Sequence, residues 1–180
     1  MNLYEIFIKI CLVVLFACAA NNLNAQSGVA VMTPIQFNDQ LTGITDGLFS
    51  RGQEWGRRFN EAYKSKDFSS LRPYRESLEQ FVTVNIAKVL AMKDVNNSKD
   101  LRMAIVGFLQ FEKKMVNQAF TPLEKLSPSA TAAEINLKLK ELKEFSALEN
   151  AELQKVNIAQ ETYAKSNGFR VETAEEAKKP

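Results

Sequence analysis

The sequence predicts an all-α fold: an antiparallel up-down four-helix bundle with long helices. Three observations carry this. Four long segments place apolar residues in alternating steps of three and four, which keeps one stripe facing a neighbour. Two Thr-x-x-Gln/Glu capping boxes, at Thr33 and Thr131, mark helix starts. Glycine (7) and proline (5) are scarce among 180 residues, against a turn-rich β-sandwich, and no stretch reads as a strand.

The first helix starts at Thr33-Pro34-Ile35-Gln36, with threonine at the N-cap, proline at the first helical position and glutamine three residues on. Its stripe is Phe37, Leu41, Ile44, Leu48, Trp55, Phe59 and Ala62. Trp55 reads as a core residue rather than a ligand platform. The helix should run to about Lys66, roughly 50 Å at the usual rise per residue. It contains Gly43, Gly47, Gly52 and Gly56, two Gly-x-x-x-Gly spacings. These mark either close approach of a neighbour or a weak point near Gly52; close packing is the favoured reading.

Ser69-Ser70 should cap the second helix, with Pro73 in its first turn and an end near Asp94. Its stripe is Leu71, Tyr74, Leu78, Phe81, Val82, Ile86, Val89 and Met92. Asn97 or Ser98 should cap the third, with stripe Leu101, Ile105, Phe108, Leu109, Met115, Val116 and Phe120. Thr121-Pro122 should kink or end it. The fourth uses Ile135, Leu139, Leu142, Phe145, Leu153, Val156 and Tyr163. It should stop at Asn167-Gly168, with Phe169 placed for the apolar contact beyond the cap. The bundle then covers residues 33–169, after a short arm at 26–32 and before a disordered tail at 170–180.

Residues 1–25 read as a secretory signal: a short apolar run from Ile10 to Ala20, a polar stretch, and small Ala25 before Gln26. Leu15-Phe16-Ala17-Cys18 offers a rival reading, a lipoprotein signal over residues 1–17 with Cys18 as the lipidation candidate. Cys11 and Cys18 are the only cysteines, so either cleavage leaves no disulfide within one mature chain. Removing residues 1–25 takes away one lysine and one glutamate and leaves the net charge at +2. That balance does not suit nucleic acid, which needs a basic face to neutralise phosphates.

No histidine is present. Ser-His and Cys-His nucleophiles, a histidine base and the usual zinc sites are therefore excluded. The Glu-x-x-His pairs of di-iron bundles are absent too. No phosphate-cradling glycine loop or Asp-rich calcium loop occurs. Met103 and Met115 read as core or surface residues, not haem ligands. The expectation is no catalytic, cofactor or metal residue.

Gln53, Arg57 and Phe59-Asn60-Glu61-Ala62-Tyr63 resemble Gln110, Lys114 and Val116-Asn117-Gln118-Ala119-Phe120 at a constant offset of 57, from duplicated hairpins or from chance between amphipathic helices. Phe37-Asn38-Asp39-Gln40, Phe111-Glu112-Lys113-Lys114-Met115 and, above all, the run from Ala159 to Phe169 resemble an uncharacterised family of exported bacterial helical proteins, described as surface proteins or lipoproteins. The resemblance spans most of the mature chain. It implies an anchored surface protein and brings no catalytic residues.

At 100° per residue, Glu112 falls in the third stripe, Glu149 in the fourth and Asn85 in the second, while Arg51 borders the first. Each lies near the midpoint of its helix, except Asn85, which is slightly beyond, and antiparallel midpoints stack. The pattern predicts a mid-bundle polar layer of Arg51, Asn85, Glu112 and Glu149, with Arg51 or Arg58 paired to one or both glutamates. The other reading turns these heads to solvent. The functional expectation is a non-enzymatic envelope or surface protein, in the periplasm or at the cell surface. It would bind another protein or the cell wall, touching membrane only through a lipid at Cys18. The alternative is a small-molecule carrier or sensor with a pocket between helices.

Overall fold

Both capping boxes form. In the computed structural model, which describes residues 32–171, Thr33 Oγ1 accepts from the Gln36 amide at 3.2 Å, and Gln36 Oε1 accepts from the Thr33 amide at 2.9 Å. The leader, Cys18, the arm up to residue 31 and the tail from residue 172 lie outside the described residues. Helix α1 runs Pro34–Ser65 and ends where Lys66 turns left-handed, at φ 63°. Its whole expected stripe is buried.

The α1 glycines behave differently from one another. A Cβ at Gly47 would lie 2.8 Å from the Phe81 ring, so a neighbour does approach closely there. At Gly43 and Gly52 nothing stands within 4 Å, and the helix continues through Gly52 unbroken.

Ser69 and Ser70 do not cap the second helix. Their hydroxyls donate backwards to Asp67, to Oδ1 at 2.6 Å and to the carbonyl at 2.7 Å. A 3₁₀ turn, Phe68–Leu71, leads directly into α2, Arg72–Ala91, with Pro73 in the first turn. Helix α2 ends at Ala91, short of Asp94, and Asn96 and Asn97 turn the chain back at φ 45° and 63°. Asparagine tolerates this left-handed region better than most residues. Ser98 occupies the cap of α3, Lys99–Met115, without a capping bond. Its Oγ accepts from the Val95 amide at 2.9 Å and closes the turn instead.

Pro122 bulges the third helix rather than ending it. A π turn, Val116–Phe120, and a single α turn, Thr121–Glu124, extend α3. Thr121 donates both its amide and its hydroxyl to the Val116 carbonyl. In a regular helix the proline ring would strike the carbonyl four residues back; one extra residue in the turn relieves this. Helix α4, Ala132–Ser166, starts at the Thr131 box. It ends with the Phe169 amide on the Ala164 carbonyl (3.1 Å), the Gly168 amide on the Lys165 carbonyl (3.4 Å) and Gly168 at φ 72°. Phe169 meets Tyr163 edge-on at 5.9 Å, the apolar contact of that C-cap.

The helices alternate in direction. Phe37 at the start of α1 packs edge-on against Tyr163 near the end of α4, at 6.1 Å. Arg58, late in α1, covers the ring of Tyr74, early in α2, at 4.8 Å. Arg75 in α2 bonds Glu124 beyond α3, and Tyr163 Oη donates to the Val95 carbonyl just before α3, at 2.9 Å. The expected up-down four-helix bundle is the architecture. Its core is anchored by Trp55, stacked on Phe120 at 3.9 Å and on Phe59 at 5.4 Å. The α3–α4 seam is the most extensive, and α1 meets α4 over a much shorter stretch. The two stretches related by the 57-residue offset lie in the second half of α1 and across the end of α3 into the π turn. Phe59 and Val116, and Ala62 and Ala119, are buried alike, whereas Tyr63 is exposed and Phe120 is not.

Candidate functional site

The mid-bundle layer begins with helix phase. On α3, Ile105, Phe108, Leu109 and Met115 are buried, and Glu112 lies among them on the same face. On α4, Leu142, Ser146, Leu153 and Val156 do the same around Glu149. The apolar residues among these neighbours set the rotation of each helix, and the two carboxyls go inward with them. Glu112 is 5% exposed and Glu149 is 7% exposed.

The two glutamates hydrogen-bond to each other across the α3–α4 seam. Glu112 Oε1 and Glu149 Oε2 are buried without a partner. Beside them Phe111 and Phe145 pack with ring centres 6.1 Å apart, and Lys114 Nζ lies 5.9 Å from the Phe145 ring centre. Burial pushes both carboxyls above the usual glutamate range, and charge on Glu112 pushes Glu149 further. They titrate as a pair, and the pair retains a proton at neutral pH.

Arg51 does not pair with them. Its Nη1 donates to the Gly47 carbonyl at 2.8 Å, and its guanidinium lies 4.1 Å from the centre of the Phe81 ring. Arg58 instead holds Glu54 at 2.8 Å and Glu61 at 3.1 Å, one turn either side on its own helix. The expected cation pairing is thus corrected. Arg51 sits on the edge of α1 that meets α2, and the notch at Gly47 brings Phe81 close enough to seat it. Asn85 is buried as expected, but its Nδ2 donates to the Phe81 carbonyl at 2.8 Å. The four layer residues therefore divide. Glu112 and Glu149 meet each other, while Arg51 and Asn85 gather around Phe81.

Two polar clusters are not foreseen from the sequence. Gln160 Nε2 donates to Asn38 Oδ1 at 2.8 Å and to Thr42 Oγ1 at 3.3 Å, all three residues buried where α4 meets α1. The signal was available: Asn38 and Thr42 are one turn apart beside the α1 stripe, and Gln160 lies between Val156 and Tyr163. Glu124 is buried at the opposite end, bonded by Arg72 at 3.0 Å and by Arg75. Burial alone would raise its carboxyl, but the bonds from Arg75 and Arg72 outweigh this and hold it below the usual range. Partners about fifty residues apart leave no local signature.

A cleft of about 500 Å³ opens at one end of the bundle, lined by residues including Met32, Phe37, Met92 and Val95. It lies between the start of α1 and the α2–α3 turn. Among the described residues no group of three or more acidic or cysteine side chains could hold a metal ion. No helix among them is long and apolar enough to cross a membrane. No family model, curated protein or solved structure matches the chain.

Proposed function

We propose that this chain is a non-enzymatic exported protein of the cell envelope or surface, a helical bundle that binds another protein or the cell wall. The observation that carries the reading is on the outer face of α4. Leu137, Leu148 and Ile158 are 56%, 57% and 58% exposed. At 100° per residue they fall within an arc of about 80°, turned away from the buried stripe. They stand about 15 Å apart along the helix, a row of separate apolar side chains rather than one continuous patch, which a protein partner would have to meet at several points. The absence of histidine from the sequence, the leader and the resemblance of residues 159–169 to exported surface proteins support the same reading.

The test is capture from envelope extracts by the folded chain, beside a Leu148→Lys, Ile158→Lys variant with an unchanged circular dichroism spectrum. A partner retained by the parent and lost by the variant supports the proposal. Equal capture by both, or binding to purified cell wall that the variant keeps, removes α4 from it. The end cleft favours a second reading, a small-molecule carrier, although it lies at the end of the bundle rather than between helices. Native mass spectrometry of protein purified from its own cells tests this by the presence of a bound small molecule.

A further inference from the structure

The geometry points to the Glu112–Glu149 pair as a proton-linked latch between α3 and α4, closed while the pair holds a proton and loosened when the proton leaves. The two groups interrupt the most extensive seam of the bundle near its middle. Both are more than nine-tenths buried, and each holds one buried oxygen, Oε1 of Glu112 and Oε2 of Glu149, that no donor reaches. A carboxylic acid on one side and a carboxylate on the other satisfy the shared contact, because one O–H donates to the opposing oxygen.

Loss of that proton breaks the O–H bond and hands the proton to water or hydroxide. The charge of the pair goes from −1 to −2. A hydrogen bond becomes an opposition of two buried anions, each already short of a donor. Charged residues near the helix midpoints include Asp46 and Arg51 on α1, Lys88 on α2, Lys113 and Lys114 on α3, and Lys143, Glu144 and Glu152 on α4. None contributes to the shift of either carboxyl, which comes from burial and from the other glutamate alone. Arg51, the nearest candidate on α1, is held at Gly47 and Phe81. The available relief is separation of α3 from α4 at their midpoint and entry of water.

The sign follows from proton binding. The native pair keeps a proton that the unfolded chain releases near the ordinary glutamate pKa of about 4.3. The stabilisation is complete below that value and is lost as pH rises through the elevated native range. Acid closes the latch and base opens it.

The test is urea denaturation of the full chain between pH 6 and pH 9, beside Glu149→Gln and the double variant Glu112→Gln, Glu149→Gln. Over this range the native pair holds at least one proton that the unfolded chain has released, so the unfolding equilibrium constant of the parent rises at least about tenfold. The double variant changes by less than about twofold, apart from a slope left by Asp46, which burial also raises. Carboxyl carbon NMR titration of the parent gives a readout independent of the variants. A glutamate titrating well above the usual range, and shifted by Glu149→Gln, supports the latch. The parent slope persisting in the double variant, or every glutamate carboxyl titrating near its ordinary pKa, overturns it.

Discussion

Arg51 lies over Phe81, its guanidinium 4.1 Å from the ring centre, at the point where Gly47 leaves room for that ring. One side chain of α2 therefore serves two residues of α1, and the bundle's central arginine is held by an aromatic face and a backbone carbonyl rather than by a carboxylate. Arg51→Ala accordingly removes a cation–π contact and one hydrogen bond, not a buried ion pair. The expected loss is about 1–2 kcal/mol, measured by chemical denaturation. A loss of about 3–5 kcal/mol, the scale for stranding a buried charge, would contradict the contacts described.

The α1 glycines give opposite signs. Gly52→Ala meets open space and should stabilise by up to about 1 kcal/mol through helix propensity. Gly47→Ala brings a methyl group to 2.8 Å from the Phe81 ring, displaces it from beneath Arg51, and should destabilise despite the same propensity gain. Thermal melts of the two variants decide this; a rise in melting temperature for both would show that the α1–α2 approach at Gly47 is not close.

The Glu124 cluster predicts acid sensitivity. Its carboxyl is held below the ordinary range, so its stabilisation is present above about pH 4.3 and is lost as pH falls through the lowered native value. The Arg75 side chain is 12% exposed and that of Arg72 is 64% exposed. Arg75→Ala should cost about 2–4 kcal/mol at pH 7, and Arg72→Ala under about 1 kcal/mol. Glu124→Gln should flatten the stability profile between pH 5 and pH 3. Equal costs for the two arginines, measured in urea, would show that burial does not set their contributions.

Processing gives a prediction that does not depend on the bundle. Intact-mass analysis of the native protein should find a chain beginning at Gln26, or at lipidated Cys18. Either product should melt at the same temperature with and without reducing agent, since neither can form an internal disulfide. A native protein still carrying Met1 would exclude both forms of export signal.

What the sequence determined by itself was local. Thr33 with Gln36, Thr131 with Glu134, and Gly168 with Phe169 satisfy backbone groups within a few residues of themselves, so each helix end is readable before any partner is placed. The stripes are local too, and they correctly put Glu112, Glu149 and Asn85 inside. Even locally, competition misled the reading. Ser69, Ser70 and Ser98 had nearer partners behind them than ahead, and Pro122 found a wider turn cheaper than a helix end. Which buried groups meet was decided only by the tertiary structure. Expecting a cation beside two glutamates treats charge attraction as the organising force. Helix rotation is instead set by the summed burial of Leu109, Met115, Leu142, Leu153 and their neighbours, and one ion pair is weak against that sum. Once packing locked the phase of α3 and α4, Glu112 and Glu149 faced each other, and Arg51 was left on the seam where Gly47 admits Phe81.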